Sequence, residues 1–102
     1  MEAAYYYESK YKKDVDKLME EDFFKRLGPI ERDASLLGTK RDSGFYLYIK
    51  SESSETFEQA KSKVEGSGIP FVKLAGEGEQ AIFDAIKQEE DEAASGMGAI
   101  FG

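Results

Sequence analysis

Phe45-Tyr46-Leu47-Tyr48-Ile49-Lys50 decides the fold of this 102-residue chain. Aromatic and β-branched side chains suit a pleated, half-buried surface, and period-two alternation divides them between two faces. The alternation predicts a strand with Phe45, Leu47 and Ile49 toward the core and Tyr46 and Tyr48 outward. Just upstream, Gly38-Thr-Lys-Arg-Asp-Ser-Gly44 has the composition of a turn. Residues 30–37 before it form a weaker strand, with Ile30, Ala34 and Leu36 available for one face. Residues 30–50 therefore read as a β-hairpin.

Moving toward the N-terminus, Tyr11, Val15, Leu18, Met19, Phe23, Phe24 and Leu27 recur at three- and four-residue steps. That spacing predicts one amphipathic helix over residues 11–27, stopped by Gly28 and Pro29. Residues 3–9 are tyrosine-rich and start without a helix cap. They suit a strand with Tyr5 and Tyr7 on one face and Tyr6 on the other, with a helix starting near Glu2 as the competing assignment.

Downstream of residue 50, the serines among residues 51–54 offer N-caps, and Glu52 and Glu55 suit the positive end of a helix dipole. Phe57, Ala60 and Val64 line one face of that helix, and Gly66-Ser67-Gly68 ends it. Residues 69–74 form a short strand, placed at a sheet edge by Pro70, which has no N–H for the ladder. After a turn at Gly76 and Gly78, residues 79–93 form a helix that turns Ala81, Ile82, Ala85 and Ile86 inward, with Phe83 flanking. Four acids, Glu89 to Glu92, oppose the dipole at its end and predict fraying there.

The order strand, helix, strand, strand, helix, strand, helix fits an α+β chain. The expected architecture is a ferredoxin-like β-α-β-β-α-β sandwich plus a C-terminal helix and a short flexible tail. Residues 1–88 form the domain and residues 89–102 an acidic, Gly-rich tail. If residues 3–9 are helical, the sheet loses a strand.

Composition narrows the chemistry. The chain has no cysteine and no histidine, which removes disulfides, zinc sites with Cys or His ligands, and Ser-His or Cys-His nucleophiles. No two carboxylates are placed by sequence as acid and base, so no catalytic residue is named and no enzymatic activity or cofactor is expected. The acidic clusters Glu20-Glu21-Asp22 and Glu89–Glu92 lack the alternating spacing of a calcium loop, and no metal site is expected. Gly76-Glu77-Gly78-Glu79 lacks the lysine and the glycine spacing of a phosphate loop. No apolar run nears the length that spans a bilayer and no signal peptide opens the chain, so the expected location is cytoplasmic, with no membrane partner. Residues 1–50 balance ten basic against ten acidic side chains, so the net charge of −7 belongs to residues 51–102. Such a surface repels phosphate backbones and suits a basic partner.

At the C-terminus the acidic run gives way to Ala93-Ala94-Ser95-Gly96-Met97-Gly98-Ala99-Ile100-Phe101-Gly102. Met97, Ile100 and Phe101 stand at i, i+3 and i+4, on one face of a helix. Gly96 and Gly98 each cost about 1 kcal/mol of helix stability, which leaves the segment loose until an apolar surface receives it. The stretch resembles the C-terminus of the acidic stalk proteins of the archaeal ribosome, through Gly96, Met97, Gly98, Ala99, Ile100, Phe101 and Gly102. Residues 1–88 share nothing with that family. The resemblance implies that Met97, Ile100 and Phe101 enter a groove on a translational GTPase. The expected partner is a protein with an apolar groove in basic surroundings.

The alternative is a single-stranded RNA module that stacks bases on Tyr5, Tyr7, Tyr46 and Tyr48, with Lys10, Lys12, Lys13, Lys40 and Arg41 supplying positive charge. Gly44 to Tyr48 resembles the aromatic strand motif of RNA-recognition domains, but Tyr46 replaces its small residue and Leu47 its next aromatic. A structural or oligomerising role is a third reading.

Overall fold

The computed structural model describes residues 1–34 and 43–101, with side chains through residue 90. In chain order it contains β1 (Glu2–Tyr7), a 3-10 turn (Ser9–Tyr11), α1 (Lys12–Met19), α2 (Asp22–Leu27), β2 (Ile30–Asp33), β3 (Phe45–Lys50), α3 (Ser54–Glu65), β4 (Val72–Lys73) and α4 (Gly76–Phe101). Four strands form one sheet in the order β2-β3-β1-β4, antiparallel at every pairing. The fold is mixed α/β.

β1 is a strand, which decides the open assignment of residues 3–9, and it is central in the sheet. Its register pairs Tyr5 with Leu47 and Tyr7 with Phe45. Directly paired residues share a face, so Tyr5 and Tyr7 lie with the inward side chains of β3. The hairpin partner β2 pairs Ile30 with Tyr48 and Asp33 with Phe45. The expected turn at residues 38–42 and the strand positions from 35 to 37, Leu36 among them, lie outside the described residues.

Both faces of the sheet are covered. On one, Ala3, Tyr5, Tyr7, Leu47 and Ile49 pack with Val15 of α1, Phe24 of α2 and Phe57, Ala60 and Val64 of α3. On the other, Ala4, Tyr46 and Tyr48 pack with Leu74 and with Ile82 and Ile86 of α4. The expectation that Tyr46 and Tyr48 point outward is corrected here: they are 3% and 6% exposed, because α4 lies over them. Alternation had assigned the two faces, but nothing local said that the second would be roofed.

The helix expected over residues 11–27 is broken in two. At about 100° per residue, Phe24 would stand about 180° from Val15 on a continuous helix. Both are fully buried in the same core, so the chain must turn between them. Glu21 takes an extended conformation (φ −62°, ψ 140°) and starts α2, with Asp22 in its first turn. Acids suit that position. Gly28, in the left-handed conformation, closes α2 as expected.

Ser53 caps α3, its hydroxyl accepting from the Thr56 amide at 3.3 Å, and Phe57, Ala60 and Val64 are its buried residues. β4 shrinks from the expected residues 69–74 to Val72 and Lys73 at the sheet edge, where Pro70 keeps the preceding backbone out of the ladder.

α4 begins at Gly76, earlier than expected, with Glu77 and Glu79 in its first turn. Lys73 pairs with Glu79 across that start. Ile82 and Ile86 are buried, but Ala81 is exposed, which corrects its inward placement. The helix is rotated toward Phe83, whose ring packs edge-on against Tyr48 at 5.8 Å and buries more apolar surface than an alanine methyl. The helical backbone also continues past the expected end at residue 93. Arg32 of β2 offsets one of the opposing acids by donating to Glu89 at 2.8 Å.

Candidate functional site

The sheet tyrosines anchor carboxylates. Tyr5 donates its hydroxyl to Glu65 at 3.3 Å, tying β1 to the end of α3. Tyr7 donates to Glu31 of β2 at 2.5 Å. On the other face, Tyr48 donates to Glu2. Burial pushes all three phenols above the ordinary tyrosine value, and the accepting carboxylates push them further. These groups stay protonated at neutral pH and serve as hydrogen-bond donors.

The four tyrosines named for base stacking therefore do not share an exposed platform. Tyr5 and Tyr7 are fully buried on the α1–α3 side, and Tyr46 and Tyr48 are buried under α4. Rings in these places pack against neighbours: Tyr7 stacks on Phe45 at 5.6 Å, and Tyr5 meets Phe71 edge-on at 5.8 Å. Of the cations associated with that reading, Lys10 pairs with Glu8 at 3.7 Å. Lys12 is bound by Asp16 at 2.7 Å and Glu31 at 3.2 Å and lies over the Phe45 ring. Burial lowers the affinity of Lys12 for its proton, but hydrogen bonds and charge from Asp16 and Glu31 outweigh this and raise its pKa. Lys13 is exposed, and Lys40 and Arg41 lie outside the described residues.

The polar cluster Tyr7–Glu31–Lys12–Asp16 joins β1, β2 and α1. Its one cation, Lys12, bridges two carboxylates while the neutral Tyr7 hydroxyl donates to one of them, so every member has a partner in the cluster. Its chemistry is that of a clamp between elements rather than a proton relay. Among the described residues, no group of three or more acidic side chains is gathered to hold a metal ion. No described helix is long and apolar enough to cross a membrane.

The tail residues Met97, Ile100 and Phe101 fall on the helical backbone of α4, which places the three positions on one helix face. Their side chains lie outside the described residues. Glu89, the first residue of the acidic run, accepts from Arg32 of β2 at 2.8 Å.

Sequence reasoning did not find two surface grooves. One, of about 380 Å³, lies between α1 and residues 67–70, with Tyr11, Leu18, Ile69 and Pro70 as its apolar lining and Asp14 and Lys17 at its rim. The other, of about 600 Å³, lies between α2 and α3 and is lined by Phe23, Leu27, Arg26, Thr56 and Gln59 among others. The trace of the first in the sequence is the glycine-flanked Ser67, which marks a loop but not the helix it faces. Comparison with protein-family models, with curated proteins and with solved structures gave no match.

Proposed function

We propose that this chain is a small, non-enzymatic protein-interaction domain whose C-terminal segment docks a partner through Met97, Ile100 and Phe101. The acidic run Glu89–Glu92 steers that segment toward a basic surface around an apolar groove. The observation that carries this reading is the continuity of α4. Its 26 residues amount to about 39 Å of helix, while a six-residue strand such as β1 spans about 20 Å. Ile82 and Ile86 secure the first half of α4 to the sheet, and the apolar triplet stands at the far end of the same helix. Helix-in-groove recognition uses this i, i+3, i+4 pattern.

The resemblance to archaeal stalk tails points to a translational GTPase as partner, and to a cytoplasmic setting. For the body we infer a ferredoxin-like split β-α-β arrangement extended by α4. The sheet order with β1 between β3 and β4, all antiparallel, supports that inference. Single-stranded RNA gains no comparable support, since the tyrosines that would stack bases are buried.

Calorimetric titration of a purified translational elongation GTPase with the full chain, and with a variant lacking residues 96–102, tests the reading. Binding should be lost on deletion while Tm stays within about 2 °C. A deletion that unfolds the domain, or that leaves binding intact, overturns it, as does a full chain that does not bind.

A further inference from the structure

The groove between α1 and residues 67–70 has the chemistry to receive an acidic, apolar helix, and this chain carries one. Resting on the docking reading above, we propose that this groove accepts the C-terminal segment of a second copy of the same chain. Its lining supplies the apolar surface through Tyr11, Leu18, Ile69 and Pro70. Its volume, about 380 Å³, is within the range of pockets that seat several apolar groups.

The wall formed by the loop is held in place before any ligand arrives. Ser67 donates its hydroxyl to the Val64 carbonyl at 2.7 Å and accepts from the Ile69 amide at 3.3 Å, and Phe71 donates its amide to the Ile69 carbonyl at 2.8 Å. Gly68 takes a left-handed conformation, φ 83°, and Pro70 fixes its own φ. A groove built this way loses little conformational freedom when it is filled.

Charge selects the occupant. Lys17 lines the groove and Lys13 stands one turn before it on α1, outside the lining; both are exposed, and neither has an ion-pair partner among the described residues. Asp14 is the one carboxylate in the groove's lining. With Glu89 held by Arg32, Glu90-Asp91-Glu92 followed by Met97, Ile100 and Phe101 is the complementary pattern: acids for the lysines, then apolar side chains for the floor.

The geometry favours a second copy over the chain's own end. α4 packs on the sheet face carrying Tyr46 and Tyr48, whereas Val15 places α1 on the opposite face. α4 is one continuous helix from its own face onward, and a continuous helix does not double back to a groove on the other. A neighbouring molecule meets no such restriction, and two copies exchanging tails close a symmetric dimer.

Sedimentation velocity of the full chain from micromolar to millimolar concentration tests the proposal. The full chain should associate with rising concentration, and more weakly as salt increases. Lys13→Glu with Lys17→Glu should weaken association at least about tenfold, and deletion of residues 96–102 should abolish it. Mixed in equal amounts, these two variants should form a 1:1 complex at concentrations where each alone is monomeric, because one keeps the tail and the other the groove. A full chain that stays monomeric throughout, or a mixture that forms no complex, overturns the proposal. Self-association without GTPase binding would leave this proposal standing and remove the translational partner. GTPase binding without self-association would do the reverse.

Discussion

At the scale of single residues, Gly44 is the position with least freedom. Its backbone is left-handed, φ 90°, and a Cβ built on it would collide with the Tyr6 ring, whose hydroxyl donates to the Ser43 carbonyl at 3.1 Å. Gly44→Ala should cost about 1–3 kcal/mol from the backbone alone, with the collision adding to it, and urea denaturation will show the loss directly. The sequence marked Gly44 only as the end of a turn, since a ring from β1, thirty-eight positions earlier, is a tertiary neighbour that composition does not reveal. The buried phenols make a second prediction. Tyr5, Tyr7 and Tyr48 hold their protons more tightly folded than unfolded, so stability is intact below the ordinary tyrosine value near pH 10 and falls as pH rises above it. Each such group steepens the decline by up to about 1.4 kcal/mol per pH unit. Urea midpoints between about pH 9 and pH 12 should therefore drop less steeply in Tyr7→Phe than in the parent chain.

At the scale of elements, the break between α1 and α2 divides what local pattern can and cannot tell. Val15, Met19, Phe23 and Leu27 step by four, and that series alone sustains one uninterrupted helix. Phe24 contradicts it, but a single apolar residue off the stripe is ordinary, so only its complete burial exposes the break. Phe24→Ala should accordingly cost about 3–5 kcal/mol. Phe23 is half-buried and meets Phe24 edge-on at 5.2 Å, and Phe23→Ala should cost about half as much; paired denaturation curves compare them. A single helix through residues 20–22 would reverse that order, because Phe23 lies closer than Phe24 to the Val15 stripe. α3 was legible throughout because its signals are local: Ser53 caps it, and Phe57, Ala60 and Val64 share one stripe. β4 was legible as an edge and overestimated in length, since proline reports the missing N–H but not how few residues beyond it reach the ladder.

At the scale of the whole molecule, the sheet is a middle layer, with α1, α2 and α3 on one side and α4 on the other. Period two located the two faces of β3 correctly and left open what covers the second, because a tyrosine is at home facing water or facing a helix. That ambiguity is what makes a stacking surface an alternative reading of the tyrosines, while the grooves, which need two distant segments side by side, leave almost no signal. Replacing both Ile82 and Ile86 with alanine should loosen the α4 layer, each change costing about 2–5 kcal/mol. Nitration by tetranitromethane should then modify Tyr46 and Tyr48 faster than in the parent chain; unchanged rates would mean that α4 is not their cover. The same helix also sets the electrical character of the protein. α4 carries seven carboxylates against Lys87 alone, which concentrates six of the seven net negative charges in one layer. The domain is thus a permanent dipole with α4 as its negative pole. On a cationic bead it should settle with that pole down, leaving the α1–α3 side turned to the bulk solution and open to visitors.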